Sequence, residues 1–223
     1  IMYARKLASE YGIDPSLVTV DVIEGAPKIL PALPKQFTDR IEHHLRGLGV
    51  NIYLNRTIER EECEEVFLRD MKMKARTVIW TAGVRANHLY EEWKLPTDKR
   101  GKVEVDEHLR LKEDQSVFIA GDGAATPFSG WAQTAMYDGN HIARVIIESV
   151  KNTQTQLPKY APGMPINAIP AGPGWAGVYM GVFGSPMYFF GRFGWWLRRL
   201  ADLAIFLRIL PAGQAIKAFQ NGQ

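Results

Sequence analysis

The stretch Val117-Phe118-Ile119-Ala120-Gly121-Asp122-Gly123-Ala124-Ala125 reads as a short buried strand that ends in Gly121-Asp122 and runs into small residues. A carboxylate at the C-terminal tip of such a strand can accept hydrogen bonds from sugar or ribitol hydroxyls. The neighbouring glycines let a ligand approach the backbone, and ligands of open α/β sheets gather at strand ends of this kind. Many strands also end in Gly-Asp because the turn itself favours those residues. The surroundings therefore carry the decision.

Working outward, Thr77-Val78-Ile79-Trp80-Thr81 predicts a second buried strand ending in Ala82-Gly83. Residues 103–105 and 109–111 are short apolar stretches that lead into the Val117 strand. Residues 131–150 predict a helix with Ala135, Gly139, Ile142 and Ile146 on one face. Upstream, a helix over about 1–11 precedes a β-branched strand at 17–23, which stops at Glu24-Gly25. A proline-rich stretch, a helix over 35–47 and a strand at 50–54 follow. This alternation is the rhythm of a parallel sheet entered partway through. Beyond the acidic cluster between Glu59 and Glu65, residues 66–68 and 71–74 predict a hairpin. A Pro/Thr/Gln linker over 151–165 leads to a tail rich in Gly, Pro and aromatics, then helical to about Leu210.

The formal charge of the 223 residues is only +3, too small to imply a nucleic acid partner. The single cysteine, Cys63, excludes an intrachain disulfide framework or a dithiol pair. Its acidic setting makes a poor nucleophile. The five histidines show no metal-ligand spacing, and no apolar run reaches the roughly 18 residues that span a bilayer. The chain begins at Ile1 and reads as a piece of something longer.

Gly172-Pro173-Gly174-Trp175-Ala176-Gly177 matches G-x-G-x-x-G to the letter. A dinucleotide fingerprint follows a buried strand and opens a helix; here prolines flank it and no helix formers follow, so it reads as a loop. In the tail, Phe193, Trp196, Leu200, Leu203, Leu207 and Leu210 recur at spacings of three and four, forming one apolar stripe. Arginines and further aromatics surround it. That pattern suits a helix lying in a bilayer surface, its arginines available to anionic headgroups, and equally a core or dimer-contact helix.

The ordered pieces resemble the C-terminal portion of the type II NADH dehydrogenases, single-subunit FAD-containing NADH:quinone oxidoreductases. They are residues 18–31, Leu48-Gly49-Val50-Asn51-Ile52, residues 77–84, residues 103–109, residues 117–125, Ala132-Gln133-Thr134-Ala135 and the tail. The resemblance implies an α/β chain that is part of a two-dinucleotide-binding-domain flavoprotein. Residues 1–76 would be the C-terminal half of a Rossmann-like NADH domain, 77–150 the returning FAD-domain segment, and 151–223 an amphipathic, membrane-associated region. Both glycine-rich fingerprints would lie upstream of Ile1.

The implied cofactors are FAD and NAD. Asp122, beside Gly121, would bind the FAD ribitol, and Ala132 and Gln133 at the helix start would direct backbone amides at the flavin. Ala82 and Gly83 would pass close to the nicotinamide and flavin, and Glu24 would accept the adenosine ribose hydroxyls of NADH, unless it is simply a turn glutamate. Gln133 and Tyr137 would face a quinone, although Tyr137 and Asp138 stand where the family has glutamines. The implied partners are NADH, quinone and the cytoplasmic face of a cell membrane as a peripheral contact. Sheet edges left by a truncation also allow a homodimer. The piece alone is expected to be inactive and to bind FAD weakly, because the pyrophosphate-cradling loop would be absent. Two other readings stay open: a related flavoreductase such as a sulfide:quinone reductase, and a non-catalytic membrane-binding or oligomerisation module.

Overall fold

Residues Met2–Glu10 form helix α1, and Asp21–Ile23 form strand β1. The computed structural model describes residues 1–151, 156–182 and 185–221. They gather into two units, residues 1–79 with 167–221, and residues 80–166. In the first unit α2 (Lys35–Gly47) carries the chain from β1 to β2 (Asn51–Tyr53), and the two strands pair in parallel, Val22 opposite Ile52. The expected βαβ rhythm is therefore present, with strands shorter than their β-branched runs. The α2 helix follows from Phe37 and Ile41, four apart and both buried, and from ion pairs Lys35–Asp39 and Glu42–Arg46 on its outer side.

The hairpin expected near residue 70 forms between β4 (Glu65–Leu68) and β5 (Lys72–Lys74). A third strand, β3 (Ile58–Glu62), adds antiparallel to β4 and comes from the acidic cluster. It was invisible to periodicity because only Ile58 among its residues is apolar. Its support lies across the ladder, where Val66 and Leu68 are buried and Arg60 sits 4.1 Å over the Phe67 ring.

In the second unit two expectations fail. Residues 77–81, which straddle the border of the two units, form no strand, with Ile79 80% and Trp80 66% exposed. The segment has no ladder partner among the described residues, and an apolar run with no neighbour to pair with has nothing to bury it. Residues 117–120 likewise make only one isolated bridge, Arg110 to Phe118, before a 3-10 turn at Gly121–Gly123. The stretches at 103–105 and 109–111 are joined by bridges of the same kind, Val103 to Ala124 and Val105 to Leu111. What holds this unit is a small core of Val103, Leu111, Ile119 and Ala124, flanked by Leu95 and by Tyr90 of the short helix α3 (Leu89–Glu92).

Asp106 closes the turn between those stretches. Its Oδ1 accepts from the amides of His108 and Arg110, and its Oδ2 from the Arg110 guanidinium. Burial by itself would raise the Asp106 pKa, but the Arg110 and His108 amides and the Arg110 guanidinium outweigh it and hold the carboxyl below its usual range. A depressed folded pKa means stability that is present above the unfolded value, about 3.9, and lost as pH falls through the folded value. Asp106→Asn is expected to lower stability near neutral pH by about 2 kcal/mol. It should also flatten the fall in melting temperature below about pH 4, as thermal melts between pH 3 and 7 would record.

The long helix α4 (Ala132–Lys151) closes this unit. Its buried face is Thr134, Asp138 and Val145, and not the apolar side read from the sequence. Ile146 and Gly139 of that side are exposed, as are Ile147 and Val150 beside it.

The tail is more ordered than its composition suggested. Strands β6 (Asn167–Pro170), β7 (Ala176–Val182) and β8 (Ser185–Phe189) make an antiparallel sheet, and α5 (Gly191–Ile209) and α6 (Ala212–Asn221) follow. The G-x-G-x-x-G look-alike is the turn between β6 and β7, where Gly172 and Gly174 take positive φ. Helix α2 packs against this sheet. Phe37 meets the rings of Tyr179, Tyr188 and Phe190, and His44 stacks on Trp175 at 3.9 Å while bonding the Ala171 carbonyl.

Candidate functional site

The Gly121–Gly123 turn and the first turns of α4 lie side by side in the second unit. A Cβ at Gly121 would stand 3.4 Å from that of Ala135, and Gly121 has φ +64°, a left-handed conformation that favours glycine. The turn is tied to the core by Val103, whose amide donates to Gly123 O and whose carbonyl accepts from Ala125. At Gly123 an added Cβ would meet the Tyr90 hydroxyl at 2.5 Å, so any side chain there would have to displace the Tyr90 ring. Asp122, between these glycines, is exposed and has no hydrogen-bond or ion-pair partner among the described residues. Its carboxylate is free to accept from a ligand.

Of the other residues singled out, the structure brings Ala132, Gln133 and Tyr137 into the same neighbourhood on α4. Ala132 is exposed at the helix start, where unpaired amides carry partial positive charge. Gln133 donates through Nε2 to the Tyr137 hydroxyl at 2.9 Å and accepts through Oε1 from Ile166 N at 2.7 Å. Tyr137 oxygen is thus an acceptor for Gln133, which leaves its O–H proton to donate elsewhere. Ala82 and Gly83 are exposed in the same unit, on irregular backbone and not at a strand end. Glu24 belongs to the first unit, at the tip of β1. One of its carboxylate oxygens accepts from its own turn at Ala26 N, and the other oxygen has no such bond among the described residues.

The sequence reading treated Asp138 only as a departure from glutamine. In the structure it is fully buried, and both its oxygens accept hydrogen bonds, Oδ2 from Gly121 N at 2.8 Å and Oδ1 from the Tyr160 hydroxyl. Burial, then that bond to the carboxylate, pushes the Tyr160 phenol well above its ordinary range. His141, one turn along α4, is pushed down by burial and by His108 and Arg144, with Asp138 and Asp106 opposing. The signal that would have found this cluster is the spacing Thr134, Asp138, His141, a polar stripe at helical intervals.

On the far side of the turn, buried Lys102 donates to Ser129 Oγ at 2.8 Å, and Ser129 donates to Gly121 O at 3.1 Å. A polar cleft of about 500 Å³ opens elsewhere in this unit, between Val84-Arg85, Glu91 and the 97–101 loop. None of Asp122, Ala132, Gln133 or Tyr137 lines it.

In the tail, Phe193, Trp196, Leu200 and Leu207 of α5 are exposed, while Leu203 and Leu210 are half-buried. The arginines are not all free, as the sequence had suggested. Arg198 pairs with Asp202, and Arg199 packs on the Trp195 and Phe219 rings and donates to Phe219 O. Arg192 and Arg208 remain exposed without such partners among the described residues. No helix among these residues is long and apolar enough to cross a membrane.

Comparison with known proteins places these features in a family. The chain matches the pyridine nucleotide-disulphide oxidoreductases over residues 2–156. It is 32% identical to the type II NADH:quinone oxidoreductase of Staphylococcus epidermidis over 162 residues, 68% of this chain and 40% of that protein. To the protein of the same name from Staphylococcus aureus it is 27% identical over 223 residues, 95% of this chain and 54% of that one. The chain spans about half the length of the curated relatives it matches. Among solved structures, NDH2 from Plasmodium falciparum in complex with NADH superposes with a TM-score of 0.79 at 13% identity, covering 96% of this chain and 59% of that one. That likeness extends through the tail and shows a shared α/β fold.

Proposed function

This chain belongs to the pyridine nucleotide-disulphide oxidoreductase family, and from that premise we propose that it forms the C-terminal part of an FAD-dependent NADH:quinone oxidoreductase. The observation that carries the proposal is Asp122: a free carboxylate on a closely packed glycine turn, beside a helix N-terminus. The chain's residues fit a flavin there. Asp122 would accept the ribitol hydroxyls, Gly121 and Gly123 would let the ring system near the backbone, and the exposed start of α4 at Ala132 and Gln133 would favour negative charge at the flavin pyrimidine edge. When bound, FAD supplies the two-electron exchange between nicotinamide and quinone.

The remaining assignments follow the same division. Residues 1–76 would contribute to the NADH domain, with the unbonded oxygen of Glu24 accepting from the adenosine ribose, a charge that disfavours a 2′-phosphate. Residues 77–150 would line the flavin, Ala82 and Gly83 leaving room for the nicotinamide. Tyr137, held by Gln133 with its proton unspent, would donate to a quinone carbonyl. Residues 151–223 would rest on the cytoplasmic surface of the cell membrane through the exposed α5 stripe, with Arg192 and Arg208 reaching anionic headgroups.

The test is Asp122→Ala in the full-length protein. FAD affinity, titrated by flavin fluorescence, is expected to fall by about tenfold or more, the value of two charge-assisted hydrogen bonds with partial replacement by water. Wild-type affinity in the variant would remove Asp122 from the flavin site and with it the carrying observation.

A further inference from the structure

We propose that Asp138 and Lys102 are positioning residues that hold the turn carrying Asp122 from its two sides. The inference rests on the flavin reading above and extends it to side chains that touch no cofactor. Asp138 is 0% and Lys102 7% exposed, and neither makes an ion pair with an opposite charge among the described residues. Buried charged groups are costly unless their hydrogen bonds are supplied. Here the supply converges on a single residue. Asp138 Oδ2 takes the Gly121 amide, and Lys102 Nζ reaches the Gly121 carbonyl through Ser129 Oγ. A continuous path of hydrogen bonds therefore runs Lys102, Ser129, Gly121, Asp138 and Tyr160.

Three features argue that the path positions the turn and does more than fill space. It bonds both the amide and the carbonyl of Gly121, the residue at φ +64° immediately before Asp122. It joins the turn to α4, whose first turns are the other half of the site. It also ties the turn to the segment leading to the tail. Tyr160, bonded to Asp138, has its amide on Glu107 O, while Lys159 pairs with Glu107 and His108 Nδ1 meets Pro158 O. A glycine turn on a loop is intrinsically free to move. A carboxylate meant to meet ribitol hydroxyls has to be held to a fraction of an ångström, and this path restrains it.

The experiment compares Asp138→Leu, Asp138→Asn and Ser129→Ala in the full-length protein. FAD affinity, the reduction potential of the bound flavin and amide exchange at Gly121 are measured for each. Asp138→Leu removes both acceptors and is expected to weaken FAD binding at least about tenfold, shift the potential and speed Gly121 exchange. Asp138→Asn keeps an acceptor for Gly121 and can donate to the Tyr160 oxygen, so it should restore affinity to within about threefold of wild type. Ser129→Ala cuts the Lys102 arm with almost no change of volume and should weaken FAD about threefold to tenfold; it carries the test if Asp138→Leu does not fold. Unchanged FAD affinity and potential in both Asp138→Leu and Ser129→Ala overturn the positioning role and leave the flavin reading standing. Wild-type protein that takes up no FAD overturns the flavin reading and this inference together, and is recognised before any variant is compared.

Discussion

Replacing Phe37 with alanine is expected to destabilise the protein by about 3–5 kcal/mol, the range for emptying a large buried aromatic site. Phe37 is 0% exposed on α2, and its ring lies 5.3 Å from Phe190, 5.9 Å from Tyr188 and 6.0 Å from Tyr179. It also lies where a Cβ on Gly177 would be 3.1 Å away, so ring and strand are already in close contact. The site has little freedom to collapse. Phe37 stands on one helix face and its aromatic partners stand on a sheet and its flank, so the void would sit at the seam between α2 and the β6–β8 sheet. The loss should lower the melting temperature by about 10 °C in a protein of this size. Phe37→Leu, which keeps most of the volume, should recover more than half. A drop of less than about 1 kcal/mol in the alanine variant would mean that the tail does not dock on α2 through this ring.

The second large effect is expected at Gly194, in the first turn of α5. A Cβ there would lie 2.3 Å from the Ala176 carbonyl oxygen and 3.0 Å from that of Phe189, both backbone atoms that cannot swing aside. In an isolated helix, Gly→Ala gains about 1 kcal/mol. Here overpacking costs about 1–3 kcal/mol or more, and a contact that short sits at the upper end, so the sign is set by the clash. Gly194→Ala should reduce stability by about 2 kcal/mol and Gly194→Val by more, measured by denaturant unfolding. Because the contact is between α5 and β7, the variant should also shift the helix that presents Phe193, Trp196, Leu200 and Leu207. Vesicle binding of Gly194→Ala, if membrane contact is as proposed, should weaken in parallel with stability. An alanine variant as stable as wild type would show that α5 does not approach β7 this closely.

Gly194 and the aromatic partners of Phe37 lie in the tail, which sequence patterns described poorly. The tail offered glycines, prolines and aromatics up to Gly194, and no strand was read in them. Yet Val178 pairs with both Ala168 and Phe189, and the aromatics become the packing surface for α2. Glycine at 177 and 194 weakens local propensity, but it is what allows a ring and a helix to come against the same strand. The reverse error occurred at residues 77–81. Their β-branched and aromatic content is as strand-like as any in the chain, and the structure leaves them exposed and unpaired. Propensity reports how well a residue suits a pleated surface, and a strand exists only where a neighbour completes its ladder.

The candidate site divides in the same way. Asp122 and its glycines were legible because a carboxylate among small residues after an apolar run is a local pattern, and α4 was legible from its length and spacing. Asp138, Ser129, Lys102 and Tyr160 were not. They lie 17, 8, 19 and 39 positions from Gly121 and converge on it, directly or through one another, only when α4, the 102–103 segment and the strap at 158–160 have packed.

The sequence by itself determined the helices α1, α2 and α4, the parallel pairing of β1 with β2, the hairpin of β4 and β5, and the glycine turn that presents Asp122. These follow from side-chain periodicity and backbone sterics over a few residues. Only the tertiary structure decided which face of α4 is buried, which arginines of the tail stay free, and that Asp138 directly and Lys102 through Ser129 hold one glycine. Burial and hydrogen-bond satisfaction belong to the packed chain, because the groups that exclude water or complete a bond come from far along it.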